Sequence, residues 1–345
     1  MGSERQQAAI RGDVDSPPMA GSKMQAIVQD GYGSADVLRL ARVAPPKIGD
    51  REVLLHVRAA GLDRGSWHLM TGRPYLLRLV FGIRRPRNAV PGIDVAGTVI
   101  AIGSAVTRFS AGDEVFGVGR GTFAEYAVAR EDKLARKPAN VSFEQAAAVP
   151  VSALTALQAL TDIGHVKAGQ KVLITGASGG VGSYAVQLAS GFGAEVTAVC
   201  STAKVDLVKS LGAAHVIDYT RDDFADGTHH YDLILDIAGN PALSRLRRAL
   251  TPAGTAVIVG GEEGGSLTGG LDRQFRALAL SPLLRQRLTM VTAKQSAIDL
   301  ERLAELIEAG TVTPSIDRTY PLDQVPAAMR YLEAGNARGK VVITI

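Results

Sequence analysis

The chain has 345 residues, with 38 Lys and Arg against 34 Asp and Glu, giving a formal net charge of +4. Hydrophobic residues at 46% and charged ones at 21% exclude a wholly disordered chain, and the length suits two domains of roughly 100–200 residues. So small a charge excess also argues against a dedicated nucleic-acid binder, whose basic residues would form a stripe.

Residues 1–22 are rich in Gly, Ser, Gln and Pro and hold no apolar signal-peptide core, so they read as a disordered leader. From Lys23 to about Pro150 the patterns are short and β-like. Met24–Val28 is an opening strand, followed by a turn at Asp30-Gly31-Tyr32-Gly33. Glu52–Ala59, Val95–Ile102, Ala111–Phe116 and Phe123–Val128 continue the series, as a compact β-rich domain or partial barrel would require. Arg84-Arg85-Pro86-Arg87, with Arg78 just before it, reads as a solvated loop.

The texture changes near Ser152, where Ser152–Ile163 reads as an apolar helix. Strands at Lys171–Thr175, Glu195–Cys200, His215–Ile217, Asp232–Asp236 and Ala256–Val259 then alternate with helices from Val181, at Ala203–Leu211 and at Leu243–Leu250. That alternation predicts an α/β fold with a parallel sheet flanked by helices. Residues 264–287, with four Arg and a Leu-rich run, read as a flap, an interface or a lipid-facing surface. A helix at Asp299–Ala309 and a last strand at Lys340–Ile345 return to the first domain. The expected division is therefore 23–150, 151–290 and 291–345.

The single cysteine, Cys200, makes no intrachain disulfide and no thiolate zinc site, which fits a reducing, cytoplasmic setting. No apolar run reaches the roughly 18 residues that span a bilayer, so no transmembrane segment is expected.

Directly after the apolar strand Lys171–Thr175 come Gly176-Ala177-Ser178-Gly179-Gly180-Val181-Gly182 and a helical pattern. Strand, glycine turn and helix together are what a dinucleotide fingerprint needs. Ala177-x-Gly179-x-x-Gly182 matches it with alanine in first place. Gly179 admits the pyrophosphate to the backbone, Gly182 admits the helix to the strand, and the helix N-terminus offers N–H groups to phosphate.

The second strand, Glu195–Cys200, ends beside the expected adenine ribose, where an NAD site commonly has Asp or Glu. Here Cys200-Ser201-Thr202-Ala203-Lys204 follows instead. With no carboxylate to repel it, a 2′-phosphate fits Ser201, Thr202, Lys204 and Tyr219. Equally, Ser201 and Thr202 cap the next helix and Lys204 is solvated.

At this point the sequence resembles the medium-chain dehydrogenase/reductase superfamily, and within it the zinc-less quinone oxidoreductase-like branch. The carriers are Pro91–Gly97, Gly112–Gly117, Thr122–Tyr126, Ala177–Gly182, Leu211-Gly212-Ala213, Asp236–Gly239 and Gly339–Val342. The resemblance implies a Rossmann doubly wound sheet, a GroES-like β-rich catalytic domain, a cofactor cleft between them and a homodimer. It extends the cofactor-binding set to Thr155, Ala238, Gly260 and Lys340.

Zinc members of the superfamily carry a cysteine ligand and a histidine in a GHE-like segment. Here Asp63 stands near the first place and Gly92-Ile93-Asp94 replaces the second, so no metal site is expected. The zinc-less family often has Asn and Asp in the loop resembling Gly61–Trp67; this chain has Asp63 and Ser66 there. Asp63, Ser66 and His68 are the catalytic candidates, orienting substrate or cofactor, or else holding the loop by backbone hydrogen bonds. Trp67 and Tyr75 form an apolar wall, or serve as core or lid.

The function implied is an NADPH-dependent, metal-independent oxidoreductase that transfers hydride to a quinone or an α,β-unsaturated carbonyl, with no specific nucleic-acid partner. The alternatives are a zinc-independent carbonyl or alcohol oxidoreductase and a non-catalytic NADPH-binding scaffold or regulator.

Overall fold

Lys171–Thr175 and Tyr231–Asp236 are runs of Val, Leu and Ile because both their faces are covered, the pattern of a central parallel strand. In the computed structural model, which describes residues 18–19, 21–260, 265 and 268–345, they sit side by side in a six-stranded parallel sheet. Its order is His215–Asp218, Glu195–Cys200, Lys171–Thr175, Tyr231–Asp236, Leu250–Ile258 and Arg287–Met290. The order reverses between the two central strands, so their carboxyl ends open a crevice there. Most of the expected leader lies outside the described residues.

A second, seven-stranded sheet is antiparallel except at one pair. It runs Ile316–Pro321, Lys340–Thr344, Glu52–Leu62, Asp94–Ile102, Glu114–Val118 and Leu134–Arg136, with Tyr126–Arg130 paired to Glu52–Leu62. Met24–Val28 pairs with Arg39–Val43 in a separate ribbon. The last strand of the chain thus lies directly against Glu52–Leu62, Val341 opposite Leu62.

One apolar core runs from the helix Pro150–Gln158 through the helix Gly180–Gly191 to Leu300, Leu303 and Ile307 of the helix Ala297–Glu308. The helix expected over Ser152–Ile163 holds α geometry only to Gln158, then widens into a π turn over Ala159–Ile163, where the Gly164 N–H reaches back to the Ala159 carbonyl. Among the described residues no helix is long and apolar enough to cross a membrane.

Candidate functional site

The glycine turn is built from two close approaches with opposite consequences. A Cβ on Gly182 would overlap the Gly176 carbonyl oxygen and come within 2.7 Å of Ala177 Cα, so its glycine lets helix and strand touch. A Cβ on Gly179 would meet only Gly176 O, at 3.4 Å, and otherwise points outward. Gly179 starts the helix Gly180–Gly191 with no side-chain cap. The first-turn N–H groups therefore have neither an intrahelical acceptor nor a side-chain cap. This cradle fits a pyrophosphate.

The flanking residues are fixed by backbone bonds. Ala177 is buried and its N–H donates to Val199 O; the Ser178 carbonyl accepts from Gly339 N–H at 2.9 Å. Ser178 is buried, Gly180 and Val181 half-buried. Thr175 Oγ1 accepts from the Ile237 and Ala238 N–H groups, and the Gly260 N–H donates to Asp236 O. Thr155 bonds back to Val151 O within its own helix.

At the end of Glu195–Cys200 the structure corrects the sequence reading, because an acid is present there after all. Asp218, on the neighbouring strand, stands in register with Cys200. Thr202 Oγ1 donates to its carboxylate at 2.5 Å and Thr220 Oγ1 at 2.7 Å. These hydroxyls, Thr202 first, hold Asp218 below the usual carboxylate range. Thr202 is thereby engaged, while Ser201 sits at the start of the turn Thr202–Lys204 with its side chain making no cap bond.

Lys204 Nζ donates to Ala337 O at 2.9 Å and Gly335 O at 3.4 Å. Burial lowers its pKa, and the nearby Arg338 adds to that. Tyr219, 63% exposed, extends from the same corner. Arg338 is a cation that sequence reasoning missed: it lies 134 positions after Lys204, and no local spacing announces the meeting. Cys200 is buried, and desolvation followed by the Asp218 charge pushes its thiol pKa up.

In the GroES-like half, Asp63 caps the helix Arg64–Thr71, its Oδ1 accepting from the Ser66 N–H at 2.8 Å. Asp63 Oδ2 and Ser66 Oγ are buried without a hydrogen-bond partner among the described residues. His68 turns elsewhere, its Nδ1 lying 2.6 Å from Arg73 O and its ring edge-on to Trp67. Trp67 in turn reaches Glu333, and Tyr75 stacks on Arg78, so no shared wall forms from the two aromatics.

Lys340 departs from its expected place among the cofactor contacts. Its ammonium lies in the interior, 3.1 Å from Asp94 Oδ2, and both side chains are essentially inaccessible. Its stem runs behind the glycine turn, where a Cβ on Gly180 would come within 3.2 Å of Lys340 Cδ. Asp94 Oδ1 accepts from the Val151 N–H at 2.9 Å. Burial pushes the Asp94 carboxyl up to about 7, against the opposing pull of Lys340 and with a further push from the Asp63 charge. Among the described residues no three His, Cys, Asp or Glu gather as a metal would need.

A cleft of about 540 Å³ opens at Gly92 and Ile93, the residues just before Asp94 in sequence. Leu69, Val80, Phe81, Ile93 and Gln295 line it together with Gln29, a residue the sequence reading passed over. Gln29 is buried; its Nε2 donates to Leu69 O while its Oε1 has no partner among the described residues. Across the sheet crevice, Arg273 of the helix Leu271–Leu280 donates to Asp236 Oδ2 at 2.5 Å and to Pro241 O at 2.7 Å. That buried pair pins the described part of residues 264–287 to the sheet; 264, 266 and 267 lie outside the described residues.

Two family patterns match the chain: the alcohol dehydrogenase GroES-like domain over residues 49–139 and zinc-binding dehydrogenase over residues 211–343. A chloroplastic quinone-oxidoreductase homolog of Spinacia oleracea is 35% identical, covering 94% of this chain and 99% of its own. A chloroplastic NADPH-dependent alkenal/one oxidoreductase of Arabidopsis thaliana is 33% identical over 98% of this chain and 84% of its own. The solved quinone oxidoreductase from Coxiella burnetii superposes with a TM-score of 0.83 at 29% identity, covering 94% and 100% of the two chains. The cytoplasmic expectation is overturned by these plant relatives, whose names place them in the chloroplast. A cysteine count reports redox conditions, which several compartments share. With relatives of this identity spanning almost the whole chain, and a nicotinamide cofactor in the name of one of them, the chain belongs to the quinone oxidoreductase-like branch of the medium-chain dehydrogenase/reductase superfamily and is an oxidoreductase.

Proposed function

We propose that this chain is an NADPH-dependent, metal-independent reductase of quinones and α,β-unsaturated carbonyls. The observation that carries the reading is the Asp94–Lys340 pair. A zinc ion needs open anionic donors, and here Lys340 and the Val151 N–H take both Asp94 oxygens while Ser66 N–H takes one from Asp63. These donors do not fit zinc, whatever the family description says. An acceptor that spreads the incoming charge onto its own carbonyl oxygen dispenses with a Lewis acid; a simple alkoxide does not.

When bound, the nicotinamide supplies hydride from its C4. The chain's part is positional. The Gly179–Gly182 turn holds the pyrophosphate, and Lys204 and Tyr219, with Ser201 and Arg338 beside them, hold the 2′-phosphate, two cations outweighing the one Asp218 carboxylate that Thr202 and Thr220 already engage. Leu69, Val80, Phe81 and Ile93 exclude water from the cleft, beside the buried Gln29. Asp63 acts as a positioning residue through the helix it caps, whose Ser66 N–H donates to it. The accompanying division is a catalytic unit of 23–150 and 291–345 around a cofactor unit of 151–290. A homodimer would form through the free sheet edge Arg287–Met290.

Steady-state NADPH oxidation over a panel of quinones, enones, ketones and aldehydes tests the reading. Turnover is expected with the first two classes and to survive chelation. NADPH binding without turnover on any of them would favour a cofactor-binding regulator. Lys204→Ala is expected to weaken NADPH roughly ten- to hundredfold by titration, with NADH almost unchanged. The loss should shrink in high salt, since a half-exposed ion pair is screened. Equal losses for both cofactors would place Lys204 in loop support through Ala337 and Gly335.

A further inference from the structure

The segment Arg73–Arg87, whose cluster Arg84-Arg85-Pro86-Arg87 with Arg78 was expected to be a solvated loop, carries an exposed apolar ridge. Leu79, Val80 and Ile83 are 67%, 60% and 69% exposed, and Tyr75 and Leu76 are exposed beside them. These five are drawn from only fourteen exposed large hydrophobics among the described residues, and such a cluster marks a contact surface. The ridge is held in shape from behind. Arg78 Nε donates to Gly72 O at 2.9 Å, its guanidinium lies between the Tyr32 and Tyr75 rings, and Tyr32 O–H donates to Gly82 O at 2.6 Å.

Charge selects the partner. Between Arg64 and Ile93 stand six arginines and no acid, more than the net +4 of the whole chain, so the remainder carries a net −2. Arg73, Arg84, Arg85 and Arg87 are exposed around the apolar side chains. A second copy meeting this face about a two-fold axis would set arginine against arginine. A nucleic acid would find Leu, Val and Ile where bases need stacking partners, and the one exposed aromatic of the segment, Tyr75, already stacks on Arg78. Apolar side chains ringed by arginine match a bilayer interface with anionic headgroups.

We propose that residues 73–87 dock this protein onto anionic membrane surfaces, with Leu79 and Ile83 entering the headgroup–acyl boundary. Val80, Phe81, Pro86 and Arg87 also line the cleft, so docking turns the cleft mouth toward the lipid phase and admits lipid-soluble substrates. That last step rests on the reductase reading; the docking does not.

The test is co-sedimentation of the full chain with phosphatidylcholine vesicles containing about 30% phosphatidylserine, against phosphatidylcholine alone. The expected result is binding that needs phosphatidylserine and falls in about 0.5 M salt. Leu79→Glu with Ile83→Glu should weaken it at least about tenfold, and Arg84→Gln with Arg85→Gln severalfold. Both pairs should keep the parent melting temperature and turnover of a water-soluble quinone. No sedimentation with anionic vesicles, or sedimentation indifferent to the Leu79 and Ile83 changes, overturns the proposal. So does self-association in solution that the same changes abolish. If turnover fails on every acceptor while vesicle binding holds, only the substrate route falls.

Discussion

Gly179→Val is expected to fold like its parent and to lose the dinucleotide, affinity falling at least about a hundredfold by calorimetric titration. The backbone at Gly179 has φ of −86°, a conformation valine accepts, and its Cβ would meet only Gly176 O at van der Waals distance. The added methyl groups therefore enter the space that the pyrophosphate needs, at little cost to the fold. Gly182→Val behaves differently. Its Cβ collides with Gly176 and Ala177 backbone atoms in the interior, so loss of the melting transition is expected before any binding is measured. Unchanged cofactor affinity in a folded Gly179→Val protein would remove the phosphates from this turn.

Lys340→Met should be the most destabilising conservative change outside the turn, costing about 3–5 kcal/mol at pH 8, because it strands a buried carboxylate. Asp94→Asn combined with Lys340→Met should recover most of that loss, as apolar or neutral replacement of a whole buried pair often does. The pH dependence follows from the sign of the shift. Burial raises the Asp94 carboxyl from 3.8 to about 7 in the folded protein. Its contribution to stability is then full below about 3.8 and is lost as pH rises through about 7. Removing Lys340, which opposes that rise, carries the titration higher still. The melting-temperature deficit of Lys340→Met should accordingly be small at pH 5 and large at pH 9. A deficit independent of pH would mean that Lys340 matters through its stem packing behind Gly180.

Local pattern was enough wherever a residue's partners lie nearby in sequence. Met24–Val28, Lys171–Thr175 and Glu195–Cys200 were readable to the residue, the last two because a doubly covered strand is largely apolar after its exposed first residue. The edge strand Arg287–Met290, with one apolar side buried and charge at its start, gives no such run and passed unread. The helix Arg64–Thr71 was hidden because Asp63 reads equally as a loop acid and as an N-cap; only the Ser66 N–H at 2.8 Å decides. The pairs that organise the site are long-range: Lys340 with Asp94, Gly339 with Ser178, Arg273 with Asp236, Lys204 with Ala337. Charge complementarity in sequence does not say which of 38 cations meets which of 34 acids. Asp218 shows the limit most directly, since a search along one strand for a ribose-facing acid overlooks the strand beside it.

The buried thiol of Cys200 bears on survival in the proposed chemistry. Activated alkenes alkylate thiolates by conjugate addition, so an enzyme that concentrates them in a cleft is exposed to its own substrate. Here the only cysteine of the chain is 2% exposed, and burial, followed by the Asp218 charge, raises its thiol pKa. The thiolate is the nucleophile, and this site suppresses it. The protein therefore offers its only thiol no route to the electrophiles it would reduce, and turnover can continue in their presence without alkylation of a cysteine.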